Sequence, residues 1–484
     1  MSAPLDLLTE LVATAEGRCA YAEARFVHTR EEGLAVRNGL VDDVEAQETA
    51  GVGIRVRVGG SWGFAATNDV TPSGLERALA EALALAEAQP RVPEAPLAPV
   101  APATGHWVAP HERDALEVPL EERLALLLAA DEAMRGDQRI ARTEATLMAA
   151  RIEKAFASTE GAACTQLHVE CGAGIAATAV GGDELQTRSY PMAHGGLLAQ
   201  AGWEHVAAME LAAHAPRVAA EAVELLTAPE LPEGRRTVVL GGEQLALQVH
   251  ESVGHALELD RIQLGEASYA GTSWVGAQDV REGALRYGSE QVSITADATL
   301  PLGLGTFGWD DEGVAGHRTP LVVDGVLRAA LSDRTSAAAL GLDASAGCAR
   351  ADGFARQPIV RMTNVSIEPG AAGSLDDLLA DTEDGALFLE TNRSWSIDDR
   401  RWHFQFGTEV AREVRGGELG RLYRNGSYAG ITPQFWGSCD AVCGPQAWRP
   451  WGIGNCGKGE PGQVMRVSHG TAPARFRDVQ VGVA

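Results

Sequence analysis

Two histidines and a glutamate that could act together on a metal lie near the middle of the chain. Glu251 directly follows His250, and His255 comes five residues after the first histidine. Imidazole nitrogens are common zinc ligands, and a carboxylate beside a metal can accept a proton from water during amide hydrolysis. The segment therefore indicates a zinc metallopeptidase in which Glu251 is the catalytic carboxylate. Chance alone also produces such strings, in roughly a few per cent of chains of this size.

The spacing of these histidines differs from that of the familiar zinc-peptidase helix, in which the two ligands are four residues apart. In an ideal α-helix, five residues turn a side chain about 140° away from its first face, so the two imidazoles would not converge. A wider turn of the π type, or a helix end, would bring His250 and His255 together. Gly254, directly before the second histidine, is expected to permit this distortion.

A zinc site needs a third protein ligand, and a cysteine far along the chain is the first candidate. Cys456 lies in Gly452–Lys458, where glycines allow the backbone to approach closely, and its thiolate would suit zinc. A buried structural thiol is the alternative interpretation. Cys439 and Cys443 are rival ligands four residues apart, although burial in the core is the favoured interpretation for both.

Helices and strands alternate in the part of the chain that precedes these residues. The periodicity predicts helices at 1–20, 73–88, 120–135 and 207–226, and strands at 24–29, 33–37, 52–58, 143–158 and 165–179. Ser73 is the expected cap of the second helix. The six prolines of 89–110 predict an irregular linker.

The periodic pattern breaks at 227–234, which we interpret as a domain boundary. It separates an N-terminal α+β domain, residues 1–226, from a β-rich C-terminal domain, residues 234–484, that carries the metal motif. The second domain is predicted to contain a strand at 236–240, a helix at 243–255, and short strands at 292–296, 320–323 and 326–331, the last two joined by an Asp324-Gly325 turn. The expected fold is α+β with two domains.

Charge and cysteine content exclude several classes of protein. The chain has 66 acidic and 40 basic residues and a formal net charge of -26, which would repel nucleic acid and anionic lipid. Seven cysteines in 484 residues do not indicate a disulfide scaffold. No uncharged apolar run is long enough to span a membrane, and the acidic residues of the first twenty do not fit a signal peptide. We expect a cytoplasmic protein without nucleic-acid or membrane partners.

Several motifs in a fixed order, spread over nearly the whole chain, resemble the TldD/PmbA family of metalloproteases, also called TldD/TldE, and in particular its TldD-like catalytic member. The motifs are Gly51-Val-Gly-Ile-Arg55, His250-Glu-Ser-Val-Gly-His255 with Glu258 and Asp260, Asp297-Ala-Thr-Leu300, Asp310-Asp-Glu-Gly313, Arg361-Met-Thr-Asn364 and Asn455-Cys-Gly-Lys458. Together they are more specific than the zinc motif alone.

The resemblance implies that His250, His255 and Cys456 bind zinc and that Glu251 is catalytic. It also implies that the C-terminal domain holds the metal, while the N-terminal domain serves dimer formation and substrate enclosure. Family members work as homodimers, or as heterodimers with a homologue that lacks the motif, and they cleave small or unfolded peptides. Leu259 stands where the family pattern has glycine and is expected to narrow the site.

Two other functions stay open. The chain could be a non-enzymatic, protein-binding modulator with a structural zinc, since the family has also been described as gyrase modulators. It could also be a metal-dependent amidase or deacylase, because the same water chemistry serves any amide. The intact Glu251 favours an enzyme, since a structural site has no need for a carboxylate beside its ligand.

The roles of the remaining polar residues near the motif stay open at this point. Glu258 and Asp260 either orient the histidines by hydrogen bonding or belong to a solvated helix end. His317, His403 and His469 have no spacing that connects them to the motif. The default interpretation for these three is an ordinary surface or core histidine.

Overall fold

The computed structural model describes residues 4–90, 93, 95–265 and 271–483 of the chain. Its helices are α1 Leu5–Thr14, α2 Pro72–Ala88, α3 Leu120–Met134, α4 Trp203–Ala207, α5 Leu211–Leu225, α6 Gly242–Val249, α7 Leu259–Ile262, α8 Ala277–Glu282, α9 Arg334–Leu340, α10 Leu375–Ala380 and α11 Thr432–Gly437. Its strands are β1 Tyr21–Arg37, β2 Leu40–Val58, β3 Ser61–Thr67, β4 Thr104–Val108, β5 Ile140–Ser158, β6 Ala163–Gly181, β7 Glu184–Tyr190, β8 Leu197–Ala199, β9 Gly234–Leu240, β10 Ile294–Asp297, β11 Arg318–Val323, β12 Val326–Leu327, β13 Ala349–Arg350, β14 Ile359–Val360, β15 Val365–Ile367, β16 Leu387–Ile397, β17 His403–Arg415, β18 Glu418–Tyr423, β19 Gly426–Ile431, β20 Cys439–Val442, β21 Arg449–Lys458, β22 Gln463–Thr471 and β23 Ala474–Val481. This mixture confirms the predicted α+β class.

The first eight strands form one sheet with two different faces. Its order is β3-β2-β1-β5-β6-β4, and β7 and β8 also pair with β6. Side chains alternate between the faces of a strand. Even-numbered residues of β1, such as Phe26 and Val36, are buried beneath α1 and α2 at one end and α3 and α5 at the other. The side chains of odd-numbered β1 residues, such as Arg25 and Glu31, face the C-terminal half of the chain. There Arg25 pairs with Asp311.

Five strands of the C-terminal half form a closed ring. In the order β16, β9, β23, β19 and β17, each strand pairs with the next, and β17 pairs with β16 to complete the circle. Stacked aromatic side chains fill this core, among them Phe404, Phe406, Tyr428, Phe435 and Phe476. Since α6 follows β9 after one residue, the histidine segment starts from a rigid barrel.

Smaller sheets flank the barrel. β10, β11, β12 and β15 form one of them, β13 pairs with β14, and β21 pairs with β22. The turn predicted at Asp324-Gly325 joins β11 to β12, and both of its residues have positive φ angles, 48° and 76°, as a two-residue hairpin turn requires. Within the described residues, none of the helices combines the length and the apolar character that crossing a membrane requires.

Four local predictions need correction. The strand predicted at 326–331 covers only Val326–Leu327. The cap of α2 is Thr71, whose Oγ1 accepts a hydrogen bond from the Gly74 nitrogen at 3.2 Å, so Ser73 lies inside the helix. The predicted linker contains β4, which pairs in parallel with β6 because residues 104–108 supply an extended edge strand. The helix expected over 207–226 is α4 followed by α5, separated at Glu210, which has a φ of 48°. Residues 1–3 of the first predicted helix, and 91, 92 and 94 of the linker, lie outside the described residues.

Candidate metal centre

A π turn brings the two motif histidines together. After α6 ends at Val249, His250–Gly254 forms one turn of π-helix, and the His255 nitrogen donates to the His250 carbonyl across five residues. The ring centroids of the two histidines are then 4.8 Å apart, with the rings nearly perpendicular. The wide turn that the sequence predicts is therefore present.

Gly254 has a different role in this turn from the one expected. Its φ of -53° and ψ of -62° are ordinary right-handed helical values, so the backbone there does not need the freedom of glycine. A Cβ at this position would instead lie 2.1 Å from the Met362 sulfur. Any larger residue would force the buried Met362 side chain to move, because it packs directly against the turn.

Cys456 joins the two histidines from a distant strand. Pairing between β21 and β22 shifts register between Ile453 and Cys456, an irregularity of the kind that redirects a side chain. The candidate ligand atoms of His250, His255 and Cys456 all lie within 4.8 Å of one another, and the three side chains are buried. The thiols of Cys439 and Cys443 lie elsewhere, near the carbonyls of Ala441 and Ser374.

A chain of hydrogen bonds orients the first histidine. The Nδ1 of His469 lies 2.6 Å from the Val365 carbonyl, which can only accept, so this Nδ1 is the donor. The Nε2 of His469 must then accept, and it lies 2.8 Å from Nδ1 of His250. Burial and the adjacent His250 hold the pKa of His469 well below its usual range, so the ring stays neutral. Nε2 of His250 is left with its lone pair for a metal.

A buried carboxylate orients the second histidine. Nδ1 of His255 lies 3.1 Å from Oε2 of Glu258, which is fully buried. Burial alone would raise the pKa of Glu258, but Lys458, His255 and Arg261 outweigh it and hold the pKa well below its usual range. Glu258 is therefore an ionised acceptor, and it is not part of a solvated helix end. Asp260 pairs with Lys458 at 2.8 Å.

The surroundings of Cys456 favour the thiolate form of this third candidate ligand. Arg361 donates to the sulfur of Cys456 at 3.2 Å and also to its carbonyl. Burial would raise the pKa of the thiol, but Arg361 and His255 outweigh it and the pKa is lowered. Burial also lowers the pKa of His250 and of His255, which keeps both imidazoles neutral. Neutral imidazoles and a thiolate are the donors that zinc prefers.

These donors fit a catalytic zinc site better than a structural one. Catalytic sites use three protein ligands and keep a position open, whereas structural sites are closed by four. Beside His250, His255 and Cys456 lies a cavity of about 510 Å³. Glu251, which directly follows the first histidine, also lines this cavity.

The catalytic candidate Glu251 has a partner that the sequence did not indicate. Nη1 of Arg401 lies 2.8 Å from its Oε2, and both side chains are mostly buried. Arg401 lies in the turn between β16 and β17 and has a φ of 59°, a left-handed conformation that is uncommon for arginine. Thr432 holds the turn by donating to the Arg401 carbonyl at 2.7 Å.

Residues from both halves of the chain complete the cavity wall. His194 comes from the N-terminal half, has a φ of 57°, and stacks edge-on against Trp395. Asn392 on β16 lies 3.3 Å from its ring nitrogen. The sequence offers no spacing that links these residues to the metal motif. Leu259 does not line the cavity but is fully buried in the core, so the expectation that it narrows the site is wrong.

Two of the other motifs, Gly51–Arg55 and Asp310–Gly313, join the two halves of the chain. Arg55 pairs with Glu312 at 2.7 Å, and Lys154 pairs with Asp311 at 3.0 Å. A Cβ at Gly53 would lie 2.3 Å from the Phe354 carbonyl, so glycine permits the close approach of the two backbones. These contacts hold the N-terminal sheet against the part of the chain that carries the metal ligands.

Relatives of this chain are named as metalloproteases. A protein from Methanothermobacter thermautotrophicus named "Metalloprotease" is 28% identical over 484 residues, which covers 100% of both chains. A protein from Saccharolobus solfataricus named "Zinc metalloprotease TldD homolog" is 25% identical over 252 residues, 51% of this chain and 52% of that protein.

Solved structures share the fold over nearly the whole chain. A protein from Thermotoga maritima, described as a candidate modulator of a DNA gyrase, has 18% identity and a TM-score of 0.76, covering 98% of this chain and 99% of that chain. TldE from Thermococcus kodakarensis has 14% identity and a TM-score of 0.74, with the same coverage.

Family models match successive parts of the chain. Residues 22–86 match "PmbA/TldA metallopeptidase domain 1", and residues 113–228 match the "PmbA/TldA metallopeptidase central domain". Residues 233–483, more than half of the chain, match the "PmbA/TldA metallopeptidase C-terminal domain". The chain therefore belongs to the PmbA/TldD family of metallopeptidases.

Proposed function

We propose that this chain is a zinc-dependent peptidase that hydrolyses small or unfolded peptides. In this proposal His250, His255 and Cys456 hold the metal and Glu251 is the general base. The observation that carries it is the convergence of the three donors within 4.8 Å, beside a cavity that Glu251 lines. A zinc ion held there would supply a Lewis acid that makes water acidic near neutral pH and polarises an amide carbonyl.

The proton transfers fall to Glu251. Arg401 holds Oε2, and no described residue donates a hydrogen bond to Oε1. Oε1 is therefore the oxygen that accepts a proton from the attacking water and delivers it to the departing amide nitrogen. Arg401 keeps the carboxylate in one orientation during both transfers.

The cavity suits an extended peptide. Gly452, Ile453, Gly454 and Asn455 of β21 line it, and among the described strands β21 pairs with β22 alone. A peptide strand that binds along this edge would form mainly backbone hydrogen bonds, which depend little on side chains. Loose preference for sequence is then expected. A peptide library would test this, and sharp dependence on one side chain next to the scissile bond would contradict it.

Glu251→Gln tests the catalytic proposal. The amide keeps the shape of the side chain and its contact with Arg401 but cannot accept a proton, so the variant should keep its zinc and lose cleavage by at least about a hundredfold. Zinc is measured by mass spectrometry of the purified protein, and cleavage from the fragments of an unfolded protein, with and without chelator. Glu230→Gln is the matched control, because Glu230 is an exposed glutamate outside the cavity.

The same variant separates an enzyme from a non-enzymatic modulator with structural zinc. Full activity of Glu251→Gln would show that the proposed mechanism is wrong. If the unmodified, zinc-loaded chain leaves all peptides and other amides intact, the modulator function is the better interpretation.

A paired arrangement and a cytoplasmic location are part of the proposal. TldE is the name of one chain with the same fold, which supports pairing of this chain with itself or with a homologue that lacks the motif. In that arrangement residues 1–226 form the domain that contacts the partner and encloses the substrate, and residues 234–484 form the metal-binding domain. Light scattering of the pure chain, alone and with such a homologue, would test the pairing.

A further inference from the structure

A second carboxyl group faces the cavity at a distance from the metal ligands. Glu243, Leu247, His250 and Glu251 all line the cavity, and their spacing places them along one face of α6 and the turn that follows it. His250 lies seven positions after Glu243, which corresponds to about 10 Å along a helix. Within the cavity, Glu243 therefore lies about 10 Å along the helix from the first metal-ligand candidate.

Glu243 is almost completely buried. It is 7% exposed, and within the described part of the chain no ion pair with it is formed. Its Oε1 accepts a hydrogen bond from the backbone nitrogen of Asn392 at 3.2 Å. Burial lowers the pKa of Arg449, and Tyr190 and Glu243 only partly oppose this lowering. The Arg449 guanidinium stacks on the Trp451 ring at 3.8 Å.

Two further carboxyl groups, those of Glu409 and Glu390, act on Glu243 electrostatically. Arg188 is shared by Glu221, Glu390 and Glu409, at 2.8, 2.9 and 3.2 Å, and Arg217 and Arg412 also pair with Glu221. Burial and the charge of Glu409 raise the pKa of Glu243 to about 8. A buried carboxyl without a counter-ion is costly to ionise. A positive group that enters the cavity would relieve this cost.

The backbone beside Glu243 is strained as well. Thr391 has a φ of 59°, a rare conformation for a β-branched residue. The pairing of β16 with β17 shifts register between Asn392 and Ser394. Strain and bulges of this kind occur where a strand is shaped around a site, and here they direct the Asn392 nitrogen to Glu243.

We propose that Glu243 binds a cationic group of the substrate, an ammonium or a guanidinium, and so selects peptides with a positive charge on one side of the scissile bond. This inference rests on the proposed peptidase function, because it assigns a substrate class to the same cavity. An extended peptide advances about 3.3 Å per residue, so 10 Å corresponds to about three residues. The charge is supplied either by the amino terminus or by a lysine or arginine side chain.

Binding to a chain that does not cleave tests the inference separately from catalysis. The zinc-loaded Glu251→Gln protein is titrated calorimetrically with octapeptides of alanine and glycine, acetylated and amidated at their ends. One lysine is placed at each position in turn, and norleucine replaces it in the matched peptides. At one or two positions the lysine peptide should bind about tenfold more tightly, as expected for a charge-assisted hydrogen bond.

Glu243→Gln, introduced in the same background, should remove this difference and leave the affinity for norleucine peptides unchanged. Glu230→Gln is the control and should retain the preference. Peptides with a free amino terminus distinguish the two sources of charge. If such a peptide binds about tenfold more tightly than its acetylated counterpart, and Glu243→Gln removes this gain, the terminal ammonium is the group that Glu243 binds. This substitution replaces a carboxyl group by a neutral group of the same shape, and thermal unfolding would show whether the variant folds.

Three results would overturn the inference: equal affinity for lysine and norleucine peptides at every position, no binding of either, or a preference that persists in Glu243→Gln. The first comparison needs no variant at position 243. Cleavage by Glu251→Gln would contradict the proposed mechanism, whereas the lysine preference would still be measurable. The two failures can therefore be told apart.

Discussion

The guanidinium of Arg401 lies 2.8 Å from the carboxylate of Glu251, and both side chains are largely shielded from water. The proposed base therefore has a positive partner from a different part of the barrel. Breaking a buried ion pair by removing one partner is costly, because the remaining charge stays buried. The pair connects the metal centre to the turn between β16 and β17.

A double-mutant cycle measures this coupling. In the metal-free protein we expect Arg401→Met to lower the free energy of unfolding by about 3 kcal/mol, since Glu251 is left without its partner. In the Glu251→Gln background the same substitution should cost at least about 1 kcal/mol less. Unfolding in urea, followed by fluorescence and by circular dichroism, gives the four values. Additive effects would show that the two side chains do not stabilise one another.

His469 should matter for metal affinity although it is not a proposed ligand. Phenylalanine at this position would remove the acceptor for Nδ1 of His250, and loss of such a partner lowers metal affinity about 10- to 100-fold. Competition with a coloured chelator measures the affinity. His403→Phe is the matched control, because His403 is exposed and pairs with Asp398. Similar zinc affinities for His469→Phe and the unmodified chain would contradict the role assigned to His469.

Gly254→Ala tests the close packing of the π turn. The added methyl group would meet the Met362 sulfur, and overpacking a tight core costs about 1–3 kcal/mol. We expect a lower melting temperature and weaker zinc binding, with partial recovery when Met362→Ala makes room. Gly136→Ala should be nearly neutral, since a methyl group there meets no atom within 4 Å. If Gly254→Ala binds zinc as well as the unmodified chain, the packing does not shape the site.

How much of the site could be predicted depends on where its residues lie in the chain. His250, Glu251 and His255 are close in sequence, so their types and spacing predicted the π turn that the structure contains and suggested the metal chemistry that we propose. Cys456 was predicted as a ligand from its glycine-rich surroundings and the family resemblance. Arg401 approaches the site only after the barrel closes, and nothing in its local sequence indicates a partner.

The same limit applies to the fold. Local patterns predicted the five longest helices and eight of the described strands, because burial on one face imposes a period on the sequence. The strands from β13 to β23, which include four of the five barrel strands, were not predicted. Strand β4 was missed because it is a short edge strand that only its pairing with β6 defines. The pairing of β16 with β17 and the hydrogen bond between His469 and His250 depend on contacts between distant parts of the chain. Such contacts leave no local signal.

Acid should weaken the contact between the two halves of the chain at Asp311. Burial alone would raise its pKa, but Lys154 and Arg25 outweigh it and lower the pKa to about 2 from 3.8. A lowered pKa stabilises the folded state above pH 4, by about 2 kcal/mol, and this contribution is lost as the pH falls towards 2. Asp311→Asn should therefore lower the melting temperature at pH 7 and differ less from the unmodified chain at pH 3. Scanning calorimetry at both pH values, with the exposed Asp376→Asn as control, checks this, and an equal difference at both would contradict it.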